Sequence, residues 1–262
     1  MHAKPKKSLG QNFLVDKNIQ RKIIDTCEFK TSDIVFEIGA GKGELTGFIA
    51  DKVAGVFAIE IDSSLCQILK DRFRNYTNVK IINQDILKFN FGRYFGKYKN
   101  NIIKVIGNIP YYITTPIIEY LFKYQDKIGT IFITVQKEFA RRMAAQPGCK
   151  DYGSFSCFIQ YYTQPKIIFL IKRTCFYPSP KTDSCFLQLD IRQKSTLELK
   201  NESLFFKIIR TAFNKRRKIL RNSLKGIISA QKLEEFFSKY DIDSNIRPEA
   251  LTLKDFAILS NI

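Results

Sequence analysis

Asn108-Ile109-Pro110-Tyr111 is the stretch whose residue types point to a definite chemistry in this 262-residue chain. An exocyclic adenine amine is a poor nucleophile, because its lone pair is delocalised into the ring. Two acceptors, the Asn108 side-chain oxygen and the Ile109 carbonyl, can hold its N–H groups so that the lone pair points at a methyl donor. Pro110 fixes the backbone and removes a competing donor, and Tyr111 offers a ring on which an extruded base can stack. The reaction would be an in-line methyl transfer driven by positioning and electrostatics. Taken alone, Asn-x-Pro is also a common loop turn.

Three more places could complete a nucleoside-shaped site. Gly39-Ala40-Gly41-Lys42-Gly43 is a glycine-rich turn in which the backbone at Gly39 and Gly41 can approach a ligand. It lacks the spacing and the Ser/Thr of a phosphate loop, and the third glycine of the dinucleotide fingerprint would fall at Glu44. Glu60 closes an apolar run and stands where Rossmann-like sheets place an acid for ribose hydroxyls. Asp85 follows another run, where a carboxylate can accept from an adenine amino group. Asp62 and Asp85 also suit helix N-caps, and Glu60 a surface position.

Such a site needs strands that deliver these residues to one edge. Ile34–Ile38 reads as a buried strand, and Val56–Glu60, Val79–Asn83, Ile102–Ile106 and Ile131–Val135 as four more strands. Helical spacing at Glu44–Val53 and Ser63–Phe73 separates the first three. This alternation predicts an α/β fold with a parallel sheet. Lys166–Ile171 and Cys185–Ile191 have no helix between them and are joined through Tyr177-Pro178-Ser179-Pro180, which suggests an antiparallel hairpin at the sheet edge. After Arg192 the chain turns polar and then helical, which predicts two domains, 1–193 and 194–262.

Composition bounds the partners. Against 25 acids stand 43 Lys and Arg, a net charge of +18, which favours a polyanion such as nucleic acid. The charge is clustered: Lys207, Arg210, Lys215, Arg216, Arg217, Lys218, Arg221 and Lys225 lie in one stretch with no acid. The stretch from Lys4 to Lys22, which includes Lys6 and Lys7, carries six basic residues against Asp16 alone. Clusters of this kind can track phosphates, each neutralised phosphate releasing counterions. Apolar runs such as Ile167–Ile171 are too short to cross a bilayer, so no membrane partner is expected. The Lys-rich start is not read as a secretory signal. With six scattered cysteines, no Cys-x-x-Cys pair and one histidine, neither a Cys/His zinc site nor a Ser-His-Asp triad is expected. Scattered single cysteines fit reduced thiols and a cytoplasmic protein.

The chain resembles the ribosomal RNA adenine N6-dimethyltransferases of the KsgA/RsmA family, relatives of the Erm macrolide-resistance methyltransferases. The resemblance runs through Lys6–Leu14, Glu37–Gly43, Asn108–Tyr111, Tyr152–Ser154, Gln160–Tyr162, Phe176–Ser184, Ala212–Lys218, Leu220–Asn222 and Arg247–Leu251. Ile109 and Tyr112 depart from the KsgA pattern, and Asn108–Tyr111 and Gly41-Lys42-Gly43 look like the Erm branch; Ser8–Gln11 and Arg247-Pro248-Glu249 favour KsgA. The resemblance implies a Rossmann-like S-adenosylmethionine-dependent methyltransferase sheet with a small all-helical C-terminal domain. It also implies contacts to S-adenosylmethionine from Gln11, Asn12, Leu14, Gly39, Glu60, Asp85 and Asn108. Asn108 and Tyr111 would position the target base, and Phe176 would stack on its other face. The implied product is N6,N6-dimethyladenosine at two adjacent adenosines in a hairpin loop near the 3′ end of small-subunit rRNA, within a pre-ribosomal particle. Lys6, Lys7, Lys215, Arg216, Arg217, Lys218 and Arg221 would grip the RNA backbone, and the protein is expected to act as a monomer. The alternatives are an Erm-like activity on large-subunit rRNA, or a non-catalytic assembly or transcription factor on the same fold.

Overall fold

Continuous Val/Ile/Phe runs bury on both faces of a sheet, as Ile34–Ile38 and Gly55–Glu60 do here, whereas Val79–Asn83 at the sheet edge is half-exposed. The computed structural model describes residues 5–6, 9–95, 98, 101, 103–192, 197–214 and 218–262. Its strands are β1 Phe13–Leu14, β2 Ile34–Ile38, β3 Gly55–Glu60, β4 Val79–Asn83, β5 Ile103–Asn108, β6 Ile128–Gln136, β7 Thr163–Ile171, β8 Phe176–Tyr177 and β9 Ser184–Ile191. Seven form one sheet in the order β4-β3-β2-β5-β6-β9-β7, and β1 pairs with β8 in a separate two-stranded ribbon. The pairs β2–β3, β3–β4, β2–β5 and β5–β6 are parallel, and β9 runs antiparallel to β6.

The five strands expected from the apolar runs are all present, within a few residues at their ends. The helix expected at Glu44–Val53 closes at Ala50, where Asp51 N and Lys52 N turn back onto Gly47 O and Ile49 O. The two late strands are neighbours at the sheet edge, with β7 outermost. A short turn, Arg173–Cys175, and β8 lie between them, so the connection does more than reverse the chain.

Two compact units divide the chain: Met1–Ala140 with Gln164–Gln193, and Arg141–Thr163 with Lys194–Ile262. The first holds the sheet. At its centre Phe36 stacks on Phe57, with ring centroids 4.7 Å apart and planes 11° from parallel, and meets Phe91 at 5.1 Å.

The second unit is helical: Ser154–Tyr162, Glu202–Asn214, Leu220–Ser223, Ala230–Lys239 and Leu253–Asn261. Phe205, Ile209, Phe213, Leu233, Phe236 and Phe256 form its core. The boundary expected at 193/194 lies outside the described residues. Within the expected first domain of 1–193, Arg141–Thr163 groups with the helices. Tyr152 and Cys157 are buried in that second core, and the Tyr152 ring meets Phe213 edge-on at 5.8 Å. Periodicity marks Ser154–Tyr162 as a half-buried helix, but cannot say which core it joins.

Candidate active site

Parallel pairing brings the strand ends level. Ile38 lies opposite Ile59 and Gly107, and Glu60 opposite Asn83, so β2, β3, β4 and β5 finish along one edge. The order turns at β2, whose neighbours β3 and β5 lead away on opposite sides. Open α/β sheets leave a ligand crevice at such a point. Here it is a cleft of about 780 Å³, mouth included. Gly39 and Gly41, Glu60 and Ile61, Asp85 and Ile86, and Asn108 through Tyr111 line it from the strand ends. Leu9, Gly10, Gln11, Asn12 and Phe13 line it from the start of the chain.

The glycine turn is required by its backbone. Gly41 has φ 60° and Gly43 has φ 82°, in the left-handed region. A Cβ at Gly43 would stand 2.5 Å from the Phe73 ring, and one at Gly41 would stand 3.3 Å from Phe13. Gly41 N–H donates to Glu60 Oε2 at 2.9 Å, and Asp62 N–H donates to Glu60 Oε1 at 2.9 Å. The backbone therefore aims the Glu60 carboxylate, and each oxygen keeps a lone pair for a ligand. Burial pushes the Glu60 carboxyl up, an effect that the Asp62 and Gly41 N–H groups partly offset.

Asp62 ties the start of the chain to this edge. Its carboxylate caps the helix Ser63–Arg72 through Ser64 N–H, and also accepts from Lys6 Nζ at 2.8 Å and Gln11 Nε2 at 3.3 Å. Burial acts to raise it, but the donors Lys6, Ser64 and Gln11 outweigh burial and hold it down to about 2. Lys6 N–H also donates to Gln11 Oε1 at 2.8 Å, so Gln11 is gripped at both ends of its amide. Asp85 caps the turn Ile86–Lys88 with Oδ1, and Oδ2 has no partner among the described residues. Capping and cleft-lining thus coexist in one side chain.

Behind the turn, Glu37 is fully buried and accepts from Thr46 Oγ1 at 2.5 Å. Burial pushes it up to about 8 from an ordinary 4.5, the Thr46 hydroxyl acting the other way. The folded protein therefore holds a proton there that the unfolded chain releases. Stability is expected to fall as pH rises from about 4.5 to about 8. Urea unfolding of Glu37→Gln across that range should show a flatter profile than wild type; an unchanged slope would assign the effect elsewhere.

At the end of β5, Asn108 Nδ2 donates to Asn12 O at 2.8 Å. That bond turns Oδ1 away as a free acceptor. Pro110 O is taken by Ile113 N–H at 3.2 Å and Thr114 Oγ1 at 3.3 Å, whereas Ile109 O accepts no bond among the described residues. Two acceptors on adjacent residues thus lack donors at the cleft. Tyr111 Oη lies 2.7 Å from Ser184 Oγ, which is buried at the start of β9, and burial pushes the phenol up.

Of the expected site residues, Gln11, Asn12, Gly39, Gly41, Glu60, Asp85, Asn108, Ile109, Pro110 and Tyr111 meet in the cleft. Leu14 and Phe176 lie outside its lining. Strand alternation sends Phe13 to the cleft and Leu14 to the other face. Leu14 pairs with Phe176, and both are buried beside Ile23, Val35 and Phe132. The Phe176 ring, 3% exposed, has no open face for a base. Phe13, Ile61 and Ser184 were not among the expected site residues, and Asn12 was expected without a role for its carbonyl. Phe13 and Ser184 lie within the stretches Lys6–Leu14 and Phe176–Ser184 that carry the resemblance.

Of the expected RNA-contacting residues, Lys7 and Lys215–Arg217 lie outside the described residues. Lys6 is paired with Asp62. Lys207 and Arg210 are exposed on the outer face of Glu202–Asn214, and Lys218 and Lys225 are exposed beyond it. Arg221 pairs with Glu234, an acid supplied by another helix. Such a surface pair is weak enough to yield to a phosphate. Among the described residues no group of three or more His, Cys, Asp or Glu could hold a metal, and no helix is long and apolar enough to cross a membrane. All six cysteines are free thiols.

A family model described as "Ribosomal RNA adenine dimethylase" matches residues 2–262. A Streptococcus gordonii protein named "Ribosomal RNA small subunit methyltransferase A" is 43% identical over 98% of this chain and 91% of its own. A Clostridium acetobutylicum protein of the same name is 40% identical over 97% and 92%. Among solved structures, a dimethyladenosine transferase from Plasmodium falciparum superposes with a TM-score of 0.81 at 26% identity, covering 94% of this chain and 95% of that one. The 23S rRNA methyltransferase ErmE shares the fold, with a TM-score of 0.77 at 23% identity over 95% and 98% of the two chains.

Proposed function

The chain belongs to the ribosomal RNA adenine dimethylase family, and from that footing we propose that it dimethylates N6 of two adjacent adenosines in a hairpin loop near the 3′ end of small-subunit rRNA, with S-adenosylmethionine as donor. The relatives named for the small subunit, matching nearly end to end, favour this target over the large subunit.

The cleft suits such a donor. It is concave, the Phe13 ring stands 3.3 Å from where a Cβ at Gly41 would lie, and carboxylates stand at the ends of two strands. Glu60 would accept from the ribose hydroxyls and Asp85, through Oδ2, from the adenine amino group. Gln11, Asn12, Gly39 and Gly41 would frame the remainder. When bound, the donor supplies an electrophilic methyl group on a positively charged sulfur.

This chain's own work is to present the nucleophile. Asn108 Oδ1 and Ile109 O accept the two N–H groups of the adenine amine, and Tyr111 bears on the ring of the extruded base. After one methylation N6 keeps one N–H, so one acceptor still orients it and a second transfer can follow in the same cleft. The pair of donorless acceptors at Asn108 and Ile109, set at the cleft, is the observation that carries this reading. Incubation with labelled donor and unmethylated small subunits, then digestion to nucleosides, should yield N6,N6-dimethyladenosine; its absence would overturn the reading.

The protein would act as a monomer on a pre-ribosomal particle in the cytoplasm, a setting in which its free cysteines stay reduced. The basic stretch of the helical unit would hold phosphates. Arg216→Ala with Arg217→Ala is expected to weaken RNA binding and to lower the slope of log affinity against log salt by about two. An unchanged slope would take that stretch out of the interface.

A further inference from the structure

Tyr111 and Tyr112 are consecutive, yet they serve opposite sides of one turn. Both belong to the 3₁₀ turn Tyr111–Ile113, where successive side chains diverge by about a third of a circle. Tyr111 is turned inward and tied by its hydroxyl to Ser184. Tyr112 is turned outward, is 62% exposed, and has no hydroxyl partner among the described residues.

The Tyr112 ring is nevertheless placed. A Cβ at Gly10 would stand 3.0 Å from Tyr112 Cε1, 3.3 Å from Cδ1 and 3.5 Å from Pro110 Cβ. The absent side chain of Gly10 thus gives the ring its seat. Gly10, Pro110, Tyr111 and Ile113 all line the cleft, so the ring stands on its rim, backed on one side and open to solvent on the other. A lone exposed tyrosine needs no explanation. One seated on a glycine at the mouth of a base-sized cleft does.

We propose that Tyr112 is a stacking platform for the unpaired base adjoining the adenosine held in the cleft, an inference that rests on the function proposed above. An adenine must leave its stack to reach Asn108, which uncovers one face of its neighbour. The open face of Tyr112 replaces the lost stacking partner. Its place on the rim makes it continuous with the cleft, and the net charge of +18 suits a polyanionic strand. Where two adjacent adenosines are modified, the neighbour is itself the second substrate.

Tyr112→Ala and Tyr112→Leu are expected to raise KM for unmethylated small subunits about tenfold, the scale of one lost base–aromatic stack. Affinity for S-adenosylmethionine, read by calorimetry, should stay unchanged. Tyr112→Phe, which keeps the ring, should restore the wild-type KM. An unchanged KM in Tyr112→Ala would overturn the proposal. Equal recovery by Leu and Phe would also overturn it, because a mere apolar cover for Gly10 would then suffice. A matching loss of donor affinity would likewise overturn it by assigning the ring to the donor. An inactive wild-type protein would instead refute the underlying function.

Discussion

Asn108→Ala is expected to lower turnover by about a thousandfold while leaving RNA affinity within about twofold. The side chain does two jobs through its two ends. Nδ2 donates to Asn12 O at 2.8 Å, which sets the amide plane. Oδ1 is left to accept from the adenine amine, a bond that matters most as the lone pair leaves the ring. Alanine removes that acceptor, and with it the restraint on the chain at Asn12. Asn108→Asp should fare little better, because a carboxylate oxygen would face the Asn12 carbonyl where a donor now sits. Single-turnover rates with small subunits, alongside filter binding of the same particles, separate the two quantities. Equal losses in rate and affinity would mean that Asn108 holds RNA and does not orient the amine.

Glu60→Gln should weaken S-adenosylmethionine binding about a hundredfold, read by calorimetry. Both Glu60 oxygens accept backbone N–H groups, from Gly41 and from Asp62, at 2.9 Å each. Glutamine has one acceptor oxygen and one donor group, so either Gly41 N–H or Asp62 N–H would face another donor. The glycine turn would shift, and the donor would lose a charged acceptor as well. Because burial raises the Glu60 carboxyl, wild-type donor affinity should fall on acidification before an ordinary carboxylate would protonate. Glu60→Gln has no such titration, so its weaker affinity should lack that acid limb. A limb that persists in the variant would belong to another group.

The cleft was legible to the extent that each of its pieces closes a strand. Glu60, Asp85 and Asn108 each follow an apolar run, and parallel strands carry their carboxyl ends to one edge whatever the loops do. Asp62 was legible only as a helix cap. It does cap Ser63–Arg72, but its grip on Lys6 and Gln11 spans more than fifty positions and has no local signature. The placement of Phe176 was not legible for a related reason. The motif around it is distinctive, yet a motif does not say which face of a two-residue strand is covered, and β8 turns Phe176 inward while Tyr177 is left 62% exposed.

Sequence alone determined the α/β alternation, the glycine turn, the two acceptors beside Pro110 and the basic character of the helical part. All of these depend on short windows: a period of hydrophobicity, a positive φ that only glycine tolerates, a missing N–H, a run of like charges. Tertiary structure decided which partners complete them. Asn12 O reaches Asn108 across 96 positions, Ser184 reaches Tyr111 across 73, and Arg141–Thr163 packs with helices far along the chain. Packing and hydrogen-bond satisfaction select such contacts from many compatible alternatives, and only the folded chain brings the competitors together.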